Sequence, residues 1–281
     1  HVIQENNRKI LENEIIYENG KYHIDFKDLD EKLSKAKMMI ISNPHNPIGK
    51  TWTKEELKKI NTLSKKHNVK TVMKIDHIQG TKREPVYTIL YGNETETVHK
   101  ENGCLFKLDL AKVMWSKGNN NERLRIAKLV EDGETVIDMF AGIGYFSIPI
   151  GVHSNAKHVY AIEINPNSHH YLCENIRLNK LNNITPILGD CIIETPKLKA
   201  DRILMGYVKT THHYLKVAIN SLNEGGILHY HETVPEKLIE SRPIERIISQ
   251  AGDREVELLK INKIKKYSPG VHHVVIDARV F

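Results

Sequence analysis

The strongest constraint on the fold is the alternation of short apolar runs with amphipathic stretches from about residue 106 onward. The apolar runs predict strands and the stretches between them predict helices. Strands that alternate with helices of this length are typical of a parallel sheet covered on both faces. The strand candidates are "ETVIDMF", "HVYAIEI", "ITPILGD", "ADRILMGYV", "GGILHYHE" and "HHVVIDARVF". The helix candidates are "NERLRIAKLV", "PNSHHYLCENIRLNKL", "THHYLKVAINSLN" and "RPIERIISQA".

The first of these strands runs into a glycine-rich loop, "VIDMFAGIGYF", at residues 136–146. In an open α/β sheet, ligands bind at the carboxyl ends of the strands. Gly142 and Gly144 lack a Cβ, so backbone at these positions can approach a ligand closely. Asp138 closes the strand, and it either faces the cofactor or ties down the loop.

Two further acids follow the next two predicted strands. Glu163 is placed where an acid can accept hydrogen bonds from both hydroxyls of a ribose, although a strand-end salt bridge would need the same residue. Asp190 is placed near an adenine amino group, with Cys191 beside it. Residues 145–147 lack the third glycine of a dinucleotide motif, which favours S-adenosylmethionine over NAD.

The stretch "ETETVHKENGCLFKLDLAKVMWSKGNNNERLRIAKLVEDGETVIDMFAGIGYFSIPI" resembles an archaeal and eukaryotic family of tRNA-modifying enzymes. This family holds the tRNA guanine-37 N1-methyltransferase and the wybutosine-pathway aminocarboxypropyltransferase, and the resemblance runs from about residue 70 to 281. It implies a Rossmann-like class I S-adenosylmethionine-dependent methyltransferase fold with a mostly parallel seven-stranded sheet. It also implies S-adenosyl-L-methionine as cofactor and the anticodon region of tRNA(Phe) as partner.

Four short motifs favour the aminocarboxypropyl branch, which acts on C7 of 4-demethylwyosine at position 37. The loop reads "FAGIGYF", where the methyltransferases look like "FAGVGPF". The fourth strand ends in "MGYV", residues 205–208, in place of Asn-Leu-Pro. "MWS" at 114–116 and "HYHETV" at 229–234 also resemble this branch. A guanine-37 N1-methyltransferase and a catalytically silent tRNA-binding module remain alternatives.

The resemblance implies a set of cofactor-binding residues. Arg123 would meet a carboxylate or phosphate with its planar fork, unless it is a surface charge on a helix. The complete set is Ser116, Arg123, Asp138, Gly142, Gly144, Glu163, Asp190 and Cys191.

His231 and Glu232 are the candidate catalytic residues. With His229 they are expected at a strand end facing the cleft, where a histidine with a pKa near neutral could take a proton from the base. The alternative is that they are packed or hydrogen-bonded without a catalytic duty. The paired histidines 212–213 and 272–273 lack metal-ligand spacing, so no metal site is expected.

The net charge of +6 permits an anionic partner such as RNA. "KINKIKKYSPGVHH" clusters Lys263, Lys265 and Lys266 beside Tyr267. These residues could contact the tRNA backbone, or they could be charges that guard a solvated sheet edge. The cysteines are far apart in sequence, no membrane-length apolar run is present, and we expect a cytoplasmic monomer.

The first seventy residues differ from the rest. "YENGKYHIDFKDLDEKL" and "MMIISNPHNPIGKTWTKEELKKI" resemble pyridoxal-phosphate aminotransferases of the cystathionine β-lyase type, in which Asn46 would touch the cofactor. The later lysine, aspartate and arginine of that family are missing. We therefore expect an aminotransferase-like fragment at 1–69 without a closed core of its own. A small β-rich module at 70–105 and a catalytic domain at 106–281 would follow it.

Overall fold

The computed structural model describes residues 11–35, 50–68, 71–115, 119–208 and 210–281. The predicted contacts of Asn46 and Ser116 lie outside these residues. The chain forms two compact units, one comprising residues 1–97 with 109–114 and the other 98–108 with 115–281. The three-part division at residues 69 and 105 stays a prediction.

The first unit combines short helices with small antiparallel hairpins. Its described elements are β1 (Ile15–Glu18), β2 (Lys21–Ile24), α1 (Phe26–Leu33), α2 (Lys54–Lys66), β3 (Val72–Gln79) and β4 (Glu84–Tyr91). Strand β1 pairs with β2, and β3 pairs with β4.

Thr53 followed three residues later by Glu56 is a capping-box pattern, which predicts a helix that begins after Thr53, and α2 begins there. The Thr53 hydroxyl accepts from the Glu56 N–H at 3.2 Å, and the Glu56 carboxylate accepts from the Thr53 N–H at 2.7 Å. This reciprocal capping box pairs two backbone donors that the helix itself leaves unpaired. It confirms the start of the helix.

The expectation that the aminotransferase-like fragment lacks a core of its own is wrong for its described part. Ile60 and Trp52 are 1% and 3% exposed and belong to one apolar cluster. The cluster forms because the apolar side of α2 packs with residues of β2 and α1. Its buried members are Ile24, Leu29, Leu33, Trp52 and Ile60.

The second unit contains the predicted α/β sheet. Its elements follow the hairpin formed by β5 (Glu96–Glu101) and β6 (Cys104–Asp109). The helices are α3 (Asn120–Leu129), α4 (Ser147–His153), α5 (Pro166–Leu178), α6 (Cys191–Glu194), α7 (Leu215–Ser221) and α8 (Arg242–Ala251). The strands are β7 (Thr135–Asp138), β8 (His158–Glu163), β9 (Ile184–Leu188), β10 (Ala200–Met205), β11 (Leu222–Pro235), β12 (Val256–Ser268) and β13 (Val271–Val280).

The seven strands are ordered β12-β13-β11-β10-β7-β8-β9. Neighbours from β11 to β9 pair in parallel, and β13 pairs antiparallel with both β11 and β12. The mostly parallel seven-stranded sheet is therefore confirmed. The order reverses beside β7, because β10 and β8 flank it, and this is where ligands bind in such sheets.

The central strands are buried on both faces, which explains their nearly continuous apolar sequences. Val136 and Ile137 of β7 are both 0% exposed, as are Ala161 and Ile162 of β8. Among the described residues, no helix has the length and apolar character needed to cross a bilayer.

Two asparagine side chains of the second unit form, with the backbone of β6, the paired hydrogen bonds that a neighbouring strand would otherwise form. Asn175 in α5 accepts from the Lys107 N–H at 2.6 Å and donates to the Lys107 carbonyl at 3.2 Å. Asn179, just past α5, makes the same pair with Leu105, at 2.8 and 2.7 Å. The Asn175 amide also donates to the Ile143 carbonyl at 2.9 Å. Asn175 therefore links the edge of β6 to the glycine loop.

Replacing Asn175 by leucine should lower the free energy of unfolding by about 2 to 4 kcal/mol, because the buried carbonyl of Ile143 and the partly buried backbone groups of Lys107 would lose their partners. Denaturant unfolding measures this change. As a control, Asn155→Ala removes an exposed side chain that donates to Asp132, and it should change stability by less than about 0.5 kcal/mol. Equal effects of the two substitutions would contradict the assigned role of Asn175.

Candidate active site

The glycine loop after β7 has a backbone that depends on its glycines. Gly142 and Gly144 have φ angles of +59° and +98°, in the region that side chains disfavour. A Cβ on Gly144 would also lie 2.5 Å from Cγ1 of Ile148. The loop therefore keeps its path close to the first turn of α4 only with glycine at this position.

The Glu163 carboxylate lies against this loop at the end of β8. One oxygen accepts from the Gly142 N–H and the other from the Asn165 N–H, both at 2.7 Å. Burial raises the pKa of Glu163, although the two N–H groups oppose this shift. The carboxylate is therefore oriented by backbone, and its oxygens keep lone pairs that can accept from hydroxyl groups.

Asp138 ties down the loop, which resolves the two alternatives left open by the sequence. It is 0% exposed, accepts from the Ser147 hydroxyl at 2.7 Å and accepts from the Phe140 N–H at 3.3 Å. Burial raises its pKa to about 6. The prediction that Asp138 binds cofactor is therefore corrected to a role in anchoring the loop and α4.

Asp190 and Cys191 lie at the tip of β9. The Asp190 carboxylate accepts from the Ile192 N–H at 2.9 Å and caps α6. Cys191 is 6% exposed, and burial raises the pKa of its thiol to about 12, so it is a neutral thiol. The Gly189 N–H donates to the Glu163 carbonyl at 3.1 Å, which holds the tips of β8 and β9 together.

Sequence reasoning missed an aromatic group at the same edge of the sheet. Phe140 stacks on Tyr207 with ring centroids 5.3 Å apart and meets Tyr214 edge-on at 5.2 Å. Phe140 follows β7 and Tyr207 follows β10, so both rings sit just beyond the strand ends. The available signal was an aromatic residue at the carboxyl end of each of two predicted strands, "ETVIDMF" and "ADRILMGYV".

Arg123 is neither a surface charge nor directed at solvent. It is 1% exposed and donates to the Glu101 carboxylate at 2.6 Å. Its guanidinium lies 4.6 Å from the ring centroid of Tyr145 and 5.3 Å from that of Trp115. Arg123 therefore braces the aromatic side of the glycine loop from α3.

His231 is buried beside the loop. It is 1% exposed, its Nδ1 lies 3.0 Å from Nε2 of His273, and its ring meets Phe146 edge-on at 5.5 Å. Burial, and next the neighbouring His273, hold the pKa of His231 well below its ordinary value. It is a neutral imidazole that supports the Phe146 ring.

His229 and Glu232 take part in ion-pair networks within the fold. His229 lies 2.7 Å from Arg202 and 2.6 Å from Asp277; because arginine can only donate, its Nε2 accepts and its Nδ1–H donates to Asp277. Glu232 is 1% exposed and accepts from Tyr230 at 2.8 Å.

The Glu232 carboxylate is also bound by two arginines of α8. Arg242 and Arg246 donate to it at 2.9 and 2.5 Å. Adjacent residues of a strand point to opposite faces of a sheet, so His231 and Glu232 do not share a face. The expectation that both face one cleft as catalytic groups is therefore wrong, and the Glu232 position is structural.

The family described as TRM5/TYW2 methyltransferase domain matches residues 97–259, more than half of the chain. The chain belongs to this family. A second family, aminotransferase class I and II, matches residues 12–88. That match covers most of the segment for which the sequence indicated this resemblance, and it continues through β3 and ends within β4.

Two relatives that differ in the activity in their names illustrate the similarity. The chain is 55% identical over 204 residues to the tRNA(Phe) (4-demethylwyosine(37)-C(7)) aminocarboxypropyltransferase of Methanocaldococcus jannaschii, covering 72% of this chain and 82% of that protein. It is 43% identical over 217 residues to the tRNA (guanine(37)-N(1))-methyltransferase Trm5b of Pyrococcus abyssi, covering 76% and 64%.

A solved structure supports the fold and the cofactor. The crystal structure of M. jannaschii TYW2 in complex with AdoMet matches with a TM-score of 0.66, covering 69% of this chain and 90% of that one. The residues present here fit this cofactor. Gly142 and Gly144 hold the positive φ angles that the loop needs, and the oriented Glu163 carboxylate can accept from hydroxyls. The chain is an S-adenosylmethionine-dependent transferase with the class I methyltransferase fold.

Replacing Asp138 by asparagine should change how stability depends on pH. The Asp138 pKa is about 6 in the fold against an ordinary 3.8, so the folded chain keeps a proton that the unfolded chain releases between these values. Wild-type stability relative to the variant should therefore fall by up to about 3 kcal/mol as pH rises from about 4 to about 6, and then level off. Denaturant unfolding across this range tests it; a difference that does not vary with pH would contradict the burial argument.

Proposed function

We propose that this chain transfers the 3-amino-3-carboxypropyl group of S-adenosylmethionine to C7 of 4-demethylwyosine at position 37 of tRNA(Phe). The observation that carries the proposal is the 55% identity to the M. jannaschii aminocarboxypropyltransferase over 82% of its length. The corresponding figures for the Trm5b methyltransferase are 43% and 64%.

The end of β10 supports the same branch. A Cβ on Gly206 would lie 2.8 Å from Cε2 of Phe146, whose ring is backed by His231. This strand end therefore has no room for a side chain at position 206 while Phe146 keeps its place. The amide side chain that the methyltransferases carry in their Asn-Leu-Pro motif is missing from "MGYV".

The roles of the chain's own residues follow from their contacts. When bound, S-adenosylmethionine would supply a methionine γ-carbon activated by the sulfonium. Its transfer to C7 would form a carbon–carbon bond, break the sulfur–carbon bond to release methylthioadenosine, and release the C7 proton to water. Glu163 would hold the ribose, and the exposed side chains of Ile164 and Ile192 would pack against the adenine. Much of the catalysis would be positioning, because the leaving group is already activated.

The base would stack on the aromatic group at the strand ends. Tyr207 and Phe140 form a stacked pair, and a tricyclic base offers a large planar face to such rings. We assign no proton transfer to His231 or Glu232, because both are 1% exposed and bonded within the fold. We propose further that the chain acts as a monomer on the anticodon region of tRNA(Phe). The free cysteines Cys104, Cys173 and Cys191 agree with a reducing, cytoplasmic compartment.

Mass spectrometry of digested nucleosides tests the activity. Wild-type protein is incubated with S-adenosylmethionine and tRNA(Phe) that carries either 4-demethylwyosine or plain guanosine at position 37. We expect the aminocarboxypropyl mass on the tricyclic base, with release of methylthioadenosine. A methyl group on guanosine would favour the methyltransferase instead. Cofactor binding without product on either tRNA would favour a silent tRNA-binding module.

Replacing Glu163 by alanine should weaken S-adenosylmethionine binding by about ten- to a hundred-fold, because two hydrogen bonds from the ribose to a charged acceptor would be lost. Isothermal titration calorimetry measures this affinity. Glu224→Ala is the control, since Glu224 is exposed and lies in β11 away from the loop, and its affinity should stay within twofold of wild type. Unchanged binding in Glu163→Ala would refute the ribose assignment.

A further inference from the structure

The carboxyl end of strand β12 lies on the same side of the sheet as the carboxyl ends of the parallel strands, where the glycine loop also lies. It is antiparallel to β13, which is antiparallel to β11, so β12 runs in the same direction as the parallel strands. The register aligns Met205, the last residue of β10, with Tyr230, Ile276 and Ile261 across the sheet. Everything in β12 after Ile261 therefore extends beyond the carboxyl end of β10.

This extension, residues 262–268, is basic and solvent-facing. Lys263, Lys265 and Lys266 are exposed, and Tyr267 is 46% exposed. Within the described part of the chain, no salt bridge to an aspartate or glutamate is formed by these three lysines. Their charge is therefore available to an external partner.

A bulge spreads the lysines over both faces of the extension. Lys263 lies opposite Val274 and Lys265 lies opposite His273, so Ile264 is an extra residue in β12. Adjacent residues of β13 point to opposite faces, and their partners in β12 do the same. The end of the β12–β13 hairpin therefore carries positive charge on both faces, which is complementary to the negative charge of a phosphate backbone that passes over it.

The extension is continuous with the candidate active site. Lys265 pairs with His273, which contacts His231 at 3.0 Å, and His231 in turn supports Phe146 of the glycine loop. Partial burial and the charge of Arg123 lower the pKa of Lys265.

We propose that residues 262–268 form a docking surface for the tRNA backbone, with Lys263, Lys265 and Lys266 on phosphates and Tyr267 against an unpaired base. This inference rests on the proposed function, because that function makes tRNA the substrate. Lysines attract phosphate irrespective of sequence, and an aromatic ring stacks on any exposed base. The surface would hold the backbone while the base enters at the strand ends.

The competing explanation is that the lysines protect an exposed edge strand from pairing with other chains. Charge of either sign performs that task, whereas RNA binding needs positive charge. Exchanging lysine for glutamate separates the two explanations, since the edge stays charged while its attraction for phosphate becomes repulsion.

The test compares two double variants with the same change of charge. Lys263→Glu/Lys266→Glu alters the extension, and Lys157→Glu/Lys199→Glu alters exposed lysines that precede β8 and β10 at the opposite edge of the sheet. The probe is transcribed tRNA(Phe), and its Kd is measured over a series of salt concentrations. We expect the first variant to bind at least tenfold more weakly at low salt, with the slope of log Kd against log salt reduced by about 1 to 2. The control should stay within twofold.

Equal weakening in both double variants, or no weakening in the first, would overturn the docking surface. Calorimetry with S-adenosylmethionine shows that each variant retains a folded cofactor site, and Lys263→Gln/Lys266→Gln should weaken tRNA binding less than the glutamate pair. The product assay on wild-type protein is independent of these results. If tRNA binding depends on the lysines but wild-type protein forms no product, the docking surface is supported and the proposed function is contradicted. If wild-type protein forms the product but the glutamate variant binds tRNA as tightly as wild type, the proposed function is supported and the docking surface is contradicted.

Discussion

The hydrogen bond from the Gly142 N–H to the Glu163 carboxylate is the interaction on which the site depends. It joins the loop after β7 to the tip of β8, and the Ala141 N–H reinforces the junction by donating to the Ile162 carbonyl at 2.9 Å. The loop can make this bond because Gly142 and Gly144 accept positive φ angles. A carboxylate held in this way is already oriented for ligand hydroxyls, so binding loses little side-chain entropy at Glu163.

Several buried charges around the sheet are paired with each other, and this pairing commits the side chains concerned to the fold. Arg202 binds Glu134 at 2.7 Å on one side and His229 on the other, while Arg125 binds Asp277 at 2.6 Å. The His229 and Arg125 contacts hold the pKa of Asp277 well below its ordinary value despite burial. An unpaired buried charge would be strongly destabilising, so each of these side chains is committed to a partner within the fold.

The chain joins two sequence families that are unrelated in their chemistry. Residues 12–88 match aminotransferases of class I and II, and residues 97–259 match the TRM5/TYW2 methyltransferase domain. The first segment nevertheless has a small apolar cluster of its own around Trp52 and Ile60. Amphipathic helix periodicity and a capping box suffice to bury these residues locally, which is why a fragment of a larger fold can stay compact.

The sequence alone determined the alternation of strands and helices, the glycine loop, the acids at the strand tips and the family. These features are local, since apolar periodicity, missing Cβ atoms and short motifs can be read without knowing what packs against them. Tertiary structure decided the roles of polar residues. Asp138 accepts from Ser147, Arg123 donates to Glu101, and Glu232 accepts from two arginines of α8. The sequence does not show these contacts, because the partners come from other parts of the chain. Tertiary structure likewise decided the hydrogen bonds of Asn175 to Lys107 and Ile143. It also placed Lys265 beyond the carboxyl ends of the parallel strands, through the strand order and register of the sheet.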